Sequence, residues 1–223
     1  MSIAATLIGA TMLRATTLAA YPHGFTGREH GDFRPPTGAA GRMLARLGLP
    51  GPFIAATQVH GNRVVSAPFD GDMPEADAVQ SRLPGTCVAV RVADCVPILL
   101  AGPDRVAAVH AGWRGTAADI VRHAVWALGG PGQLRAAIGP SIRGCCYEVG
   151  DEVIAAIGAV TPRDGWLAGR RVDLAKANAA ILADLGVDAE IVGPCTHCSP
   201  DYWSHRRDGA GAGRQVGAIG LPP

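Results

Sequence analysis

The sequence lacks a hydrophobic run long enough to cross a membrane. None of its 223 residues lies in a stretch of about 18 uninterrupted apolar residues, the length that a spanning helix needs. A strong charge of one sign is also missing, because 20 Lys and Arg balance 19 Asp and Glu. A net charge of +1 gives no basic surface for nucleic acid or acidic lipid. We therefore expect small-molecule partners, with neither a nucleic acid nor a membrane among them.

Cysteine is scarce as well, with six residues in the whole chain. This number is too low for the disulfide scaffold of a small secreted protein, so we expect a reduced, cytoplasmic protein. The apolar stretch from Ile3 to Leu13 could be mistaken for the core of an export signal. However, no Lys or Arg precedes it and Arg14 interrupts it. We predict that this stretch is a first strand.

The residues that are present predict a layered fold. The chain is 48% hydrophobic, and its length favours one large domain over residues 1–223. Turn residues and apolar runs predict strands over 53–59, 63–65, 86–92, 97–100, 105–109, 136–138, 189–192 and 216–219. Helical periodicity predicts helices over 42–47, 116–128, 149–157 and 174–185, and glycines predict a flexible loop over 206–214. Because strands and helices do not alternate strictly, we predict an α/β fold bordering on α+β, a single-domain sandwich with a mixed sheet.

Three residues with metal-binding side chains lie at predicted strand ends. They are His60, Cys95 and His110. Loops at strand ends of an α/β sheet commonly converge on a ligand, and two imidazoles with one thiolate leave a fourth tetrahedral position open, as catalytic zinc requires. Their separations of 35 and 15 residues match no short metal motif. A buried cysteine and two unrelated histidines in turns are the alternative interpretation.

The segment from Ala111 to Thr116 leads a predicted strand into the predicted helix 116–128. Thr116 and Asp119 have the spacing of a capping box. Free backbone N–H groups at the start of a helix favour the binding of an anion. Arg114 is able to bind phosphate or carboxylate through two hydrogen bonds. The alternative is a tight strand–helix turn with a solvent-exposed arginine.

Cys195 and Cys198 form a CxxC motif. A structural zinc at this motif needs two further ligands, for which His205 and one of Cys145 or Cys146 are candidates. Cysteines packed in a turn are the simpler interpretation.

Several short motifs occur together in one order: Thr57–Gly61 (TQVHG), Ala93–Pro97 (ADCVP), Ala108–Gly115 (AVHAGWRG), Ala137–Pro140 (AIGP), Gly144–Val149 (GCCYEV), Cys195-Thr196 and Ser204–Gly209 (SHRRDG). Together they resemble the bacterial family called laccase-domain polyphenol oxidase or peptidoglycan editing factor, whose members are now regarded as purine nucleoside phosphorylases. The resemblance runs from Thr57 to the C-terminus, about three quarters of the chain.

The resemblance implies a zinc site formed by His60, Cys95 and His110, with copper as the less favoured metal. It implies phosphorolysis of adenosine, inosine, guanosine or methylthioadenosine, and deamination of adenosine. The catalytic residues would be Cys95, His110, Asp94 and Arg114, with Asp94 orienting a metal ligand. Phosphate would bind at Arg114, Gly115 and Thr116.

The N-terminal third departs from the family pattern, because Gly24 to Arg28 survives in altered form and the segment after it is shortened. The wall of the pocket would then be either more open than in the family or completed by a second chain, so an oligomer is one of the possibilities.

Two other enzyme classes and a binding protein are alternatives. A cysteine hydrolase or amidase that edits peptidoglycan precursors would use Cys95 as nucleophile and His110 or His60 as base. A copper-dependent phenol oxidase would need about four coppers and paired histidines, whereas this chain has seven histidines and no His-x-His pair. A non-catalytic binding module explains the turns and the core, but not three metal ligands beside an anion-ready loop.

Overall fold

The structure, a computed structural model, describes residues 11–34, 44–46, 48–49, 51, 53–161 and 164–222. The strands among them are β1 (His23–Phe25), β2 (Phe53–Ile54), β3 (Val64–Ser66), β4 (Ala78–Ser81), β5 (Cys87–Val92), β6 (Val96–Gly102), β7 (Arg105–Ala111), β8 (Arg135–Ile138), β9 (Leu167–Ala168), β10 (Arg171–Val172), β11 (Asp188–Ile191) and β12 (Gln215–Gly220). The helices are α1 (Trp113–Ala117), α2 (Ile120–Ala127), α3 (Asp151–Gly158), α4 (Leu174–Asp184) and α5 (His205–Asp208).

Two sheets carry the fold. The larger has the strand order β11-β8-β6-β7-β4-β3, with parallel outer pairs and antiparallel inner pairs. The smaller has the order β1-β12-β5-β2, in which the pair β5 and β2 is parallel. Strands β9 and β10 form a separate hairpin. The predicted α/β sandwich with a mixed sheet is confirmed.

The sequence of β6 explains why the larger sheet is covered on both faces. Ile98 and Leu100 pack in the cluster that contains α2, α3 and α4, whereas Leu99 and Ala101 pack in the cluster shared with the smaller sheet. Successive side chains of a strand point to opposite faces, so a strand that is apolar at every position is buried on both. The helices, the larger sheet and the smaller sheet therefore form three layers.

The helix predicted over 116–128 is wrong in its start and its continuity. Helix α1 ends at Ala117 and α2 begins at Ile120, with Asp119 between them at φ 65°. A left-handed residue interrupts the helical hydrogen bonds, and Asp119 tolerates this conformation better than a branched residue would. The predicted capping box of Thr116 and Asp119 is absent, because neither side chain caps a helix.

Other boundaries differ less. The strand predicted over 53–59 is limited to β2, and the predicted flexible loop 206–214 instead contains most of α5, whose first turn is capped by the Ser204 hydroxyl. The strand predicted from Ile3 to Leu13 lies mostly outside the described residues. In the helix predicted over 42–47, residues 44–46 are described and are helical, and the other three lie outside the described ranges. The extent of one domain over 1–223 stays a prediction. No helix in the described ranges combines the length and the apolar character that crossing a lipid bilayer requires.

Candidate functional site

His60, Cys95 and His110 come together at one end of the two sheets. Their ligand atoms all lie within 4.8 Å of one another, and the His60 and His110 rings meet edge to face with centroids 4.8 Å apart. The β6–β7 hairpin explains the convergence of Cys95 and His110, because Pro97 is paired with His110 in its register. Residues 15 apart in sequence are therefore neighbours across one hairpin end.

Left-handed backbone conformations occur at two positions of the site. His60 has φ 62° and Asp94, which precedes Cys95, has φ 84°. Such left-handed residues are uncommon outside glycine and change the chain direction sharply. The Gly112 backbone packs closely against two of the candidate ligands, since a Cβ on it would lie 3.0 Å from the Cys95 Sγ and 3.2 Å from the His60 Cδ2. The site thus requires a residue without a side chain at position 112.

Asp77 is the carboxylate that orients this cluster. Its side chain is fully buried and accepts a hydrogen bond of 2.7 Å from the His110 Nδ1. It also accepts hydrogen bonds from the backbone amides of Val59, His60 and Gly61. A metal-binding imidazole commonly donates its second N–H to a carboxylate, which turns the other nitrogen toward the metal. Nε2 of His110 is therefore free to face Cys95 and His60.

The resemblance implied that Asp94 orients a metal-binding histidine, but the carboxylate that contacts His110 is Asp77. The Asp94 carboxylate accepts a hydrogen bond of 2.6 Å from the Thr196 hydroxyl and one of 2.7 Å from the Arg206 amide. These contacts hold the turn before Cys95 and make no link to His60 or His110 among the described residues. A direct catalytic part for Asp94 stays a prediction.

The charges in the cluster favour a thiolate. Burial raises the pKa of Cys95, but the positive charge and hydrogen bond of His110 and those of His60 outweigh it and lower the pKa to about 6. Burial lowers the pKa of His110, but the Cys95 and Asp77 charges outweigh it and raise the pKa to about 9. Burial raises the pKa of Asp77, but the hydrogen bonds from His110 and Gly61 outweigh this effect and lower the pKa below its usual value.

The donor set fits a metal ion. A thiolate and two imidazoles are ligands of zinc and of copper, and three protein ligands leave a position for water or substrate. His110 is buried, Cys95 is half-buried and His60 is exposed, so solvent reaches the cluster from the His60 side.

A cavity of about 520 Å³ opens onto these three residues. This volume lies within the range of small-molecule sites. Its lining contains Arg34, Arg91 and Arg214, of which Arg34 is paired with Asp32 at 2.6 Å. A cavity of about 690 Å³ beside Arg28 is larger but contains none of the three candidate ligands.

Arg91 is the least expected part of the lining. It is only 8% exposed, and its Nε is buried without a hydrogen-bond partner in the described part of the chain. Burial lowers its pKa. The guanidinium lies over the Phe53 ring at 5.6 Å and has no carboxylate partner in the described part of the chain. A buried cation is normally paired, so this wall of the cavity favours an anion.

The predicted phosphate residues on α1 have other surroundings. Thr116 is buried and its hydroxyl is paired with the Asn178 side chain, so it is not available to phosphate. Gly115 is buried against the Gly61 carbonyl, which a Cβ would approach to 3.1 Å. Arg114 is exposed, lies over the Trp113 ring at 4.4 Å and is not part of the cavity lining. Phosphate binding by Arg114 stays a prediction.

Sequence reasoning missed Asp77 and Arg91. Asp77 lies between two alanines just before a strand, and an acid between apolar residues was the available signal. Arg91 interrupts an apolar strand in the same way. The candidate His205 is not one of the ligands grouped with Cys195 and Cys198, and it lines the cavity instead.

Comparisons with known proteins show the family of the chain and agree with its fold. A family model described as multi-copper polyphenol oxidoreductase laccase matches residues 27–222. A purine nucleoside phosphorylase of Deinococcus radiodurans is 37% identical over 96% of this chain and 94% of its own length. Adenosine deaminase RL5 from an unknown prokaryotic organism is 37% identical over 64% of this chain and 61% of its own length. The crystal structure of YlmD from Geobacillus stearothermophilus superposes with a TM-score of 0.83 and 26% identity, over 96% of this chain and 100% of the other.

Proposed function

The chain belongs to the multi-copper polyphenol oxidoreductase laccase family, and we propose that it is a zinc-dependent enzyme that cleaves purine nucleosides with phosphate. The observation that carries the proposal is the meeting of His60, Cys95 and His110 at a cavity lined by three arginines. The name of the Deinococcus radiodurans relative, purine nucleoside phosphorylase, supports the substrate class.

Zinc suits the cluster better than several coppers do. In the described ranges, the histidine-containing cluster offers three ligand atoms within 4.8 Å, which is room for one ion. Bound to His60, Cys95 and His110, zinc supplies Lewis-acid polarisation of a substrate atom or activation of water. Asp77 holds the His110 ring in the tautomer whose Nε2 is free to act as a ligand.

The arginines in the cavity lining support phosphate as the second substrate. Arg91 supplies a buried guanidinium and Arg214 a second positive charge, whereas the charge of Arg34 is paired with Asp32 at 2.6 Å. Guanidinium groups bind phosphate through pairs of charge-assisted hydrogen bonds. We assign the phosphate position to this wall of the cavity rather than to the α1 loop.

The reaction needs the two substrates side by side. An oxygen of hydrogen phosphate forms a bond to C1′ of the ribose while the C1′–N9 bond breaks. The purine leaves with the bonding electrons and takes up the proton of the phosphate, which gives the free base and ribose 1-phosphate. The arginines hold the phosphate and the walls of the cavity orient the sugar, so the chain contributes mainly positioning.

Deamination of adenosine is a second activity at the same site. The relative named adenosine deaminase supports it. Water replaces the amino group of the purine, and the products are inosine and ammonia. This activity requires no phosphate, so the arginines are not needed for it.

Product analysis tests the proposal directly. The purified protein is incubated with adenosine, inosine, guanosine or methylthioadenosine, with and without inorganic phosphate. We expect a free base and a sugar phosphate that form only when phosphate is present, and ammonia from adenosine in both conditions. Turnover of none of the four nucleosides would overturn the proposal.

A cysteine hydrolase is the second candidate, because Cys95, His110 and Asp77 form the chain of nucleophile, base and orienting acid that such enzymes use. Alkylation of Cys95, followed by peptide mass spectrometry, separates the candidates. A metal-bound thiolate is protected until a chelator is added, whereas a free nucleophile is alkylated at the same rate in both conditions. We expect protection.

A further inference from the structure

A second cluster of metal-binding side chains lies apart from the cavity. The Sγ atoms of Cys145, Cys146, Cys195 and Cys198 all lie within 4.8 Å of one another. We propose that these four cysteines bind a structural zinc ion, separate from the site at His60.

The distances fit a metal better than disulfides. The Cys198 Sγ lies 3.2 Å from the Cys146 Sγ and 3.6 Å from the Cys145 Sγ, and all four residues are free cysteines. Zinc–sulfur bonds of about 2.3 Å in a tetrahedron put neighbouring sulfur atoms about 3.8 Å apart. A disulfide bond is about 2 Å long, which is shorter than either of these distances.

Local backbone structure brings the adjacent cysteines to the same side. In an extended chain, the side chains of Cys145 and Cys146 would point in opposite directions. The backbone amides of Cys146 and Tyr147 both donate to the Arg143 carbonyl, which curls this segment into a turn. Both thiols can therefore reach Cys198.

The surroundings of Cys195 suit a negatively charged sulfur. Its Sγ accepts a hydrogen bond of 3.4 Å from the Arg143 backbone amide. The Arg143 guanidinium is anchored on the Val192 and Gly193 carbonyls at 3.3 Å, beside the same turn. A backbone donor and a fixed cation both stabilise a thiolate, the form of cysteine that binds metal.

The proposed ion would connect two loops that the cavity depends on. Thr196 lies inside the CxxC segment and donates to the Asp94 carboxylate at 2.6 Å. Asp94 directly precedes Cys95, a ligand at the cavity. Four protein ligands leave no open position, so this ion has a structural part and holds the turn that carries Cys95.

The zinc content of a variant that lacks the candidate site at His60 and His110 tests this proposal. The variant His60→Ala/His110→Ala is purified under reducing conditions and its metals are measured by mass spectrometry. We expect about one zinc per chain. Adding Cys146→Ser/Cys198→Ser should reduce this to near zero, whereas adding Cys87→Ala, a buried cysteine outside both clusters, should leave it unchanged.

A spectroscopic measurement covers the case in which the cysteine variants do not fold. Cobalt replaces zinc in the His60→Ala/His110→Ala protein, and a four-thiolate site should give intense thiolate-to-cobalt absorption with all four cysteines protected from alkylation. The proposal is overturned by iron in place of zinc, by a disulfide between Cys146 and Cys198 in the reduced preparation, or by equal alkylation of the four thiols with and without a chelator.

Discussion

The Asp77 carboxylate accepts a hydrogen bond from the His110 Nδ1 at 2.7 Å and another from the His60 amide at 2.9 Å. One buried side chain thus positions two of the three candidate metal ligands, although neither is near it in sequence. The same carboxylate is fully buried, so these hydrogen bonds replace water in stabilising its negative charge.

Replacing Asp77 by Asn should weaken metal binding. An amide has one acceptor oxygen, and its NH₂ group would face backbone N–H groups that the carboxylate now accepts from. Loss of such an orienting carboxylate typically costs about 10- to 100-fold in metal affinity. Competition with a chromophoric chelator measures this change. Asp70→Asn, an exposed carboxylate beyond β3, is the control and should leave the affinity unchanged; equal affinities for the wild type and Asp77→Asn would contradict the account.

Gly112→Ala tests the tight packing beside the ligands. The new Cβ would lie 3.0 Å from the Cys95 Sγ and 3.2 Å from the His60 Cδ2, so one ligand must move. Gly112 has φ −73°, which alanine adopts without strain, so the effect reports on space alone. We expect metal affinity to fall by at least about tenfold, equivalent to about 1.4 kcal/mol. Gly132→Ala, where no atom lies within 4 Å of the added Cβ, should have no such effect.

Arg91→Met tests where phosphate binds. Loss of a charge-assisted hydrogen bond costs about 1.5–3 kcal/mol, so the KM for phosphate should rise about tenfold or more while the KM for the nucleoside changes little. Stability should change little, because the change removes a buried cation that has no carboxylate partner among the described residues, and methionine can keep an apolar contact with the Phe53 ring. Steady-state kinetics and thermal unfolding measure the two effects.

Arg114→Met is the comparison that separates the two phosphate positions. If the α1 loop binds phosphate, this variant and not Arg91→Met will raise the KM for phosphate. Arg135→Met, an exposed arginine at the start of β8, is the control for a general loss of positive charge.

His23 should make the protein less stable in acid. Its Nε2 accepts a hydrogen bond from the Ala15 amide and its Nδ1 donates to the Tyr21 carbonyl, an arrangement that requires a neutral ring. Burial lowers the pKa of His23, and the charge of Arg14 adds to the shift. A lowered pKa means that the folded state binds the proton less readily than the unfolded state, so this contribution to stability is present above about pH 6.5 and is lost as the pH falls further.

Denaturant unfolding between pH 7 and pH 5 measures this effect. The free energy of unfolding should decrease less steeply with falling pH in His23→Gln than in the wild type. His123→Gln, at an exposed histidine on α2, should keep the wild-type slope. Identical slopes in all three proteins would refute the assignment to His23.

The sequence predicted those features that depend on local pattern. Strands β5 to β7 are apolar at almost every position, and a run of that kind is buried wherever it lies. The candidate ligands His60, Cys95 and His110 were predicted from residue type and from the resemblance, and the hairpin register explains why Cys95 and His110 meet.

Features that depend on distant partners could not be predicted. The break at Asp119 follows from a left-handed conformation that the helical pattern conceals. Thr116 appeared free to bind phosphate because nothing in the sequence connects it to Asn178, which is 62 residues away. The same reason hid the link between Thr196 and Asp94, which are separated by 102 residues.

Removal and return of zinc tests the central claim most directly. Wild-type protein is treated with a chelator, the loss of metal is measured, and phosphate-dependent release of free purine base is followed before and after zinc is added back. The account predicts that activity disappears with the metal and returns with zinc, and that His110→Ala folds but stays inactive in both conditions. Full activity in metal-free protein, or in His110→Ala, would contradict it.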